Sequence, residues 1–509
     1  MKIALIADPH LSDITTVPQE ASLNWALDTV AQIAPNACVW LGDITACGAE
    51  EAALRFLDLV KELHFPSVIV PGNAELRTAS TAGTLEHILH THPEGLTLED
   101  LTIIGMNTSH NTIAPEERNR LSGLALQRNV LIVSHQPAKY LDADSLSFLS
   151  AWFKGLREAG HRILLWASGH RHVFGTGTFE DVPTVSLRAL DPDKCIGGPP
   201  QICIWDSEEN TIEEICYDEI LPRNWSDAEK AEFADLLGIT CYEKHKLTRD
   251  MPFAIQNGVR HLEWRHIEEG QIPFIEQWRR SGGKTFSLHM PSLNFDRTVT
   301  GLEKFRIMAA AAVQAGADTV TVHPPFASHQ IMYNDSPAFV AVADAMAEGF
   351  LPFQEAGIQI LIENSHTKPN TPQDPALQPF GCTPGDLFVW QDALNARLGA
   401  GSCHLRLDVG HARNNEPISE AYPIGKWYAL TGSGVRGYHL HQTIFNRAAR
   451  TMENHHPILD WSGDMISYCG FLWAWHKGIL HHSPMILEIR EGEGACATWQ
   501  RLQRLIQEA

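Results

Sequence analysis

The sequence predicts a mixed α/β protein of two domains, the second a closed (β/α)8 barrel. At 509 residues the chain is too long for one hydrophobic core, so two domains of roughly 200 to 270 residues are expected. A hydrophobic content of 44% is enough to fill both cores. Short apolar strands alternate with amphipathic helices from the start, and from about residue 237 one strand and one helix repeat eight times. Each half also carries its own set of residues with metal-ligand chemistry.

In residues 1–220 the strand candidates are 3–7, 37–41, 67–70, 101–104, 130–133, 163–167, 184–187 and 201–205, with helices such as 24–33 and 51–63 between them. Residues 221–236 read as a linker, in which Ser226 or Asp227 suits the N-cap of a short helix. Residues 237–509 offer strands at 238–241, 261–264, 285–289, 319–323, 359–363, 405–408, 437–440 and 485–489. Eight such repeats close a barrel, and the C-terminal ends of its strands are where a barrel holds its chemistry. There is no low-complexity segment and no tandem repeat beyond this rhythm.

The first ligand set is Asp8-Pro9-His10, Gly42-Asp43, Gly72-Asn73, Ser134-His135 and Gly169-His170-Arg171-His172. Oxygen and imidazole donors of this kind suit two divalent ions roughly 3.5 to 4 Å apart with a bridging carboxylate. In order, these blocks resemble the calcineurin-like metallophosphoesterases. The resemblance implies an αββα sandwich for residues 1–220 and two ions, Mn2+, Fe2+ or Zn2+. Asp8, His10 and His172 would hold one ion, Asn73, His135 and His170 the other, and Asp43 would bridge them. It also implies in-line attack on phosphorus by a hydroxide shared between the ions, with Asp43 and His135 in the catalytic centre. One block departs from the family: Gly72-Asn73-Ala74-Glu75 stands where Gly-Asn-His-Asp/Glu is usual. The group that protonates the leaving oxygen is therefore open, with metal-bound water, His110, His64 and His87 as candidates.

The second set is His289, His323, Glu363, Asp408, His411, His439 and Glu488, most of them following an apolar run. The segments Leu288-His289-Met290-Pro291, Val322-His323-Pro324-Pro325, Ile362-Glu363-Asn364, Leu407-Asp408-Val409-Gly410-His411, Tyr438-His439-Leu440-His441 and Leu487-Glu488-Ile489-Arg490 carry a second likeness. They resemble the xylose isomerase-like TIM barrels and, within them, the endonuclease IV-like group. The isomerase branch implies one ion held by Glu363, Asp408, His439 and Glu488. The two glutamates would move protons beside a sugar carbonyl, and His411 would contact substrate oxygens. The endonuclease branch implies that His289, His323 and His411 recruit further zinc ions for phosphodiester hydrolysis. The barrel is thus expected to hold one to three divalent ions, Mn2+, Mg2+ or Zn2+. That branch also expects a histidine after strand seven. In Glu453-Asn454-His455-His456 the spacing favours His455 as a metal ligand, with His456 a rival. Trp264, Trp427, Trp461 and Trp473 could stack on a sugar ring or fill the core, and His481-His482 reads as a surface turn.

The formal net charge of -22 is uneven. Residues 1–236 hold 16 Lys+Arg against 34 Asp+Glu, a net of -18, and residues 237–509 hold 23 against 27, a net of -4. A nucleic-acid backbone calls for basic surfaces, so no nucleic-acid partner is expected. Ten Cys without a C-x-x-C pair read as reduced thiols. No signal-peptide pattern opens the sequence, and no apolar run reaches the roughly 20 residues of a membrane span. A cytoplasmic protein with no membrane partner is expected, and a homo-oligomer is compatible with all of this.

Together these readings describe a bifunctional metal enzyme acting on small-molecule phosphoester and sugar or polyol substrates. Its first domain would hydrolyse a glycerophosphodiester or sugar phosphodiester, and its barrel would isomerise or epimerise the sugar or polyol part. The alternatives are a trinuclear-zinc phosphoesterase or abasic-site endonuclease in the barrel, or one domain reduced to a silent ligand-binding module. The two ligand sets fall on either side of 221–236, so two chemically independent sites are expected.

Overall fold

Period-two burial organises the first half of the chain. In the strand Lys2–Ile6, Ile3 and Leu5 share a core with Val39, Leu41, Val68, Val70, Ile103, Leu131 and Val133. The intervening Ala4 and Ile6 instead meet Leu23, Val30 and Phe56 of the helices Pro18–Ile33 and Glu50–Lys61. In the same way Ile104, Ile132 and Trp166 turn away from the shared core towards Leu149 and Phe153 of the helix Ala143–Glu158. The result is four layers, helix, sheet, sheet, helix.

The computed structural model describes residues 1–241, 247–295, 299–334, 336–368, 374–446, 448, 450–463, 465–490 and 494–507. One sheet of the first half runs in the order Thr211–Cys216, Gln201–Asp206, Lys2–Ile6, Ala37–Leu41, Ser67–Val70. The other runs Leu96–Leu98, Leu101–Met106, Asn129–Ser134, Arg162–Ser168, Val182–Ser186, Gly175–Phe179. The central strands of each sheet are parallel, so their C-terminal ends lie on one side. The loops leaving Lys2–Ile6, Ala37–Leu41, Ser67–Val70, Asn129–Ser134 and Arg162–Ser168 carry Asp8, Asp43, Asn73, His135 and His170.

The chain forms two compact units, Met1–Ile220 with Trp461–Trp473, and Leu221–Asp460 with Ala474–Ala509. Trp461–Trp473, from the range read above as barrel, is tied into the first unit by backbone bonds. The Ser467 amide donates to the Asp193 carbonyl at 3.2 Å, and the Gly197 amide to the Ser462 carbonyl at 3.1 Å. The second unit opens with the helix Asp227–Leu236, whose N-cap Ser226 forms a capping box with Glu229.

Eight parallel strands then close a barrel: Leu237–Cys241, His261–Trp264, Thr285–His289, Thr319–Val322, Gln359–Glu363, Cys403–Asp408, Val435–Leu440 and Met485–Leu487. Alternate residues face in opposite directions. Glu263, Ser287, Thr321 and Arg406 are buried and bonded to one another across the interior. The intervening Leu262, Trp264, Phe286, Leu288, Val320 and Val322 pack on the other face. Trp264, Trp427, Trp461 and Trp473 are buried core residues, not exposed stacking platforms. Among the described residues no helix is long and apolar enough to cross a membrane, and all ten cysteines are free.

Candidate metal centres

The first centre sits on strained backbone. Asp8, His10, Asp43, His170 and His172 all adopt positive φ, between 47° and 66°. Each such non-glycine residue costs on the order of 1 kcal/mol, and the surrounding packing must hold it there. Gly42, at φ 81°, leaves room for the His135 ring, which a β-carbon would strike.

Ring tautomers follow from backbone acceptors. His10 Nδ1 lies 3.0 Å from the Asp8 carbonyl and His135 Nδ1 lies 2.9 Å from the Leu41 carbonyl, so both protons belong on Nδ1. The Nε2 lone pairs then face carboxylate oxygens: His10 Nε2 is 3.3 Å from Asp43 Oδ2, and His135 Nε2 is 3.3 Å from Asp43 Oδ1. Asn73 Oδ1 stands 3.0 Å and His170 Nδ1 3.2 Å from the same His135 nitrogen. Acceptors converging on acceptors are repulsive unless a cation lies between them. His10 Nε2 is buried and makes no hydrogen bond.

Two ligand groups result, Asp8 with His10, Asp43 and His172, and Asp43 with His135 and His170. Burial lowers His10 and His170 to about 4, and holds His172 well below its ordinary value. Neutral imidazoles are the form that binds metal. Burial, and then Asp43, push the Asp8 carboxyl well up, a repulsion that bound cations would relieve.

The sequence did not single out the residues that support this set. Asp191 Oδ2 lies 3.4 Å from His10 Nδ1. Gln19 donates to Asp191 at 2.7 Å and to Asp193 at 2.8 Å. Glu75 accepts from the Thr45 and Gly72 amides at 2.9 and 2.7 Å, and burial followed by Asp43 raises it to about 7. The Leu190, Asp191 and Ile196 amides donate to the Ala7, Asp8 and His172 carbonyls, so one loop backs two ligands of the same group, Asp8 and His172. Trp461–Trp473 clamps that loop through Ser467 and Cys195, whose side chains are 3.1 Å apart, and Gly470 packs directly on the Asp193 carboxylate. Gly470→Ala would collide with that carboxylate. It is expected to weaken divalent binding at this centre by roughly tenfold or more, as read by calorimetric metal titration of the full chain. His64 and His87 are exposed, and His110 pairs with Glu86 at 3.4 Å. None of these three belongs to a ligand group.

The barrel brings its set together around Glu363 and His439. His439 Nδ1 lies 2.9 Å from Glu363 Oε1, 3.2 Å from Glu488 Oε2 and 3.8 Å from Asp408 Oδ2. His289 Nε2 is 3.1 Å and His323 Nε2 3.4 Å from Glu363 Oε2. His411 Nδ1 is 3.5 Å from both Glu363 and Asp408. Asp408 ends its strand and caps the next helix by accepting from the His411 amide at 2.7 Å.

Among the described residues three ligand groups are formed: His289, Glu363, His439 and Glu488; Glu363, Asp408 and His411; and His411, His441 and His455. His455 lies 3.6 Å from Glu488, whereas His456 pairs with Glu453. His323 reaches Glu363 without joining a group. His441 lies 3.1 Å from Asp408 and Glu263 beside His439, and the sequence pattern marks neither as a ligand. Glu263 Oε1 lies 2.8 Å from His439 Nε2, on the side of the ring away from the other ligands, which Nδ1 faces, while its other oxygen pairs with the buried Arg406. Burial alone would lower His439, but Glu263, then Glu363 and Glu488, hold it well above its usual value. His482 stacks on Trp475 with ring centroids 4.0 Å apart and bonds Glu232 at 2.9 Å, and it belongs to no ligand group.

Several solved structures align with just over half of the chain. A Thermus thermophilus protein soaked with zinc chloride is 20% identical, covering 54% of this chain and 98% of its own, at a TM-score of 0.35. A D-tagatose 3-epimerase-like protein is 15% identical, covering 53% and 97%, at 0.37. A xylose isomerase domain protein from Alicyclobacillus acidocaldarius is 15% identical, covering 53% and 98%, at 0.38. No curated protein matches the chain. Residues 1–174, which hold all seven candidate ligands of the first centre, match the calcineurin-like phosphoesterase family.

Proposed function

We propose that the chain is a two-site metal enzyme. The first unit hydrolyses a small phosphodiester of the glycerophosphodiester or sugar phosphodiester class, and the barrel isomerises or epimerises the sugar or polyol part. Asp43 carries the first half of this reading, because each of its oxygens faces a different histidine at 3.3 Å. A carboxylate shared by two ligand groups suits a dinuclear phosphoesterase centre. Two divalent ions, when bound, would neutralise the phosphoryl oxygens and supply a nucleophile near neutral pH. The chain's own groups hold the geometry: Asp191 and the Asp8 carbonyl orient His10, and Gln136 donates to Asn73 at 3.1 Å. Tyr140 packs edge-on to His170 and is 42% exposed, and it is the candidate to protonate the leaving oxygen in place of the absent histidine.

In the barrel, convergence of Glu363, Asp408 and Glu488 on His439 Nδ1 supports chelation of adjacent substrate oxygens. Glu363 and Glu488 are then placed to move a proton between carbons. A second reading, a trinuclear-zinc phosphoesterase of the abasic-site endonuclease kind, is favoured by the third group of His411, His441 and His455. Manganese-loaded protein is expected to turn over bis-p-nitrophenyl phosphate, and inactivity on it and on glycerophosphodiesters would count against the first half. For the barrel, deuterium uptake into a ketose or inosose in heavy water is expected. Efficient nicking of an abasic-site duplex at physiological salt would overturn that half.

A further inference from the structure

At the mouth of the barrel, beside its second and third strands, the described residues enclose a cavity of about 150 Å3. Arg265 and His266 reach it from the end of His261–Trp264, His289 and Met290 from the end of Thr285–His289, and Lys304 from the first turn of the helix Leu302–Gln314. Two permanent cations and two histidines crowd one small space, and no acidic residue is among its described lining. The crowding is felt: burial first, then Lys304 and Arg265, lower the His266 pKa. Small-molecule sites commonly measure roughly 300 to 1,000 Å3, so this cavity suits one charged group of a substrate.

We propose that this cavity binds the phosphate group of a sugar or polyol phosphate on which the barrel acts. The proposal rests on the reading of the barrel as a substrate site and names the charge its substrate carries. Arg265 supplies the planar fork that oxyanions prefer, and Lys304 a mobile point charge. In the structure Arg265 Nη2 lies 2.9 Å from Glu488 Oε1 and 3.3 Å from His289 Nε2. An ion held by those two atoms would meet their lone pairs and leave the guanidinium to a phosphate. His289 lines the cavity and also faces Glu363, so a substrate anchored there extends its carbon chain towards Glu363 and Glu488. Phosphodiester hydrolysis supplies such a substrate. Water adds to phosphorus, one P–O bond breaks, the departing alkoxide takes a proton, and the other product is a phosphomonoester. The first unit is proposed to catalyse that class of reaction.

The test is calorimetry of inorganic phosphate and of acetate with manganese-loaded full chain in an Asp43→Asn background, with and without Lys304→Glu or Lys304→Arg. Binding at the first centre cancels in this comparison, and Lys304 is solvent-exposed, so its replacement leaves the fold intact. Phosphate affinity is expected to fall at least tenfold in Lys304→Glu, to survive in Lys304→Arg, and to exceed acetate affinity clearly. Equal phosphate affinity with and without Lys304→Glu, no phosphate binding, or acetate binding as tightly as phosphate would each overturn the proposal. Failure of the isomerase reading looks different, because deuterium exchange would then be absent while Lys304-dependent phosphate binding persists.

Discussion

Asp43→Asn is expected to abolish metal-dependent ester hydrolysis. Asp43 belongs to both ligand groups of the first centre, its oxygens standing 3.3 Å from His10 Nε2 and 3.3 Å from His135 Nε2. Asparagine keeps the shape but removes the charge and turns one oxygen into a donor aimed at a histidine lone pair. Both ions should therefore bind more weakly, at a cost of about 4 kcal/mol of transition-state stabilisation or more, roughly a thousandfold in kcat/KM. Initial rates on bis-p-nitrophenyl phosphate at saturating Mn2+ measure this. A variant within tenfold of wild type would mean that the carboxylate does not bridge two ions.

Glu363→Gln is the matching test of the barrel. Its Oε1 lies 2.9 Å from His439 Nδ1 and its Oε2 lies 3.1 Å from His289 Nε2, so one substitution touches two of the three groups. Proton transfer, read as deuterium incorporation, is expected to fall by about three orders of magnitude. Ester hydrolysis by the first unit should stay near its wild-type rate, because no ligand group among the described residues mixes the two sets. Retained exchange in this variant would remove Glu363 from the chemistry.

Much of this was legible because strand ends carry both signals at once. An apolar run followed by a polar residue marks a parallel strand and its functional end together, as in Ile362-Glu363 and Leu407-Asp408. Seven residues of the first set could be named for the same reason, since each block follows a core strand. Other parts gave no such signal. Glu263 lies inside a strand of otherwise ordinary apolar character, and only the closed barrel brings it to His439 and Arg406. His455 rides on the hairpin Gln442–Asn446 with Thr451–His456, a polar stretch without alternation that pairing alone makes a sheet. Gly175–Phe179 is likewise rich in Gly and Thr and forms a strand only beside Val182–Ser186. Asp191 and the clamp from Trp461–Trp473 are contacts across 181 and 272 positions, respectively, at His10 and Cys195. No local pattern encodes such contacts.

Two separate metal centres are expected in one chain, and metal content by mass spectrometry after gel filtration measures that directly. Wild type, Asp43→Asn and Glu363→Gln would be loaded with Mn2+ side by side. Asp43→Asn is expected to lose the pair of ions of the first unit and keep those of the barrel, and Glu363→Gln to do the reverse. Loss of both sets from either single variant, or full metal content in both, would contradict it.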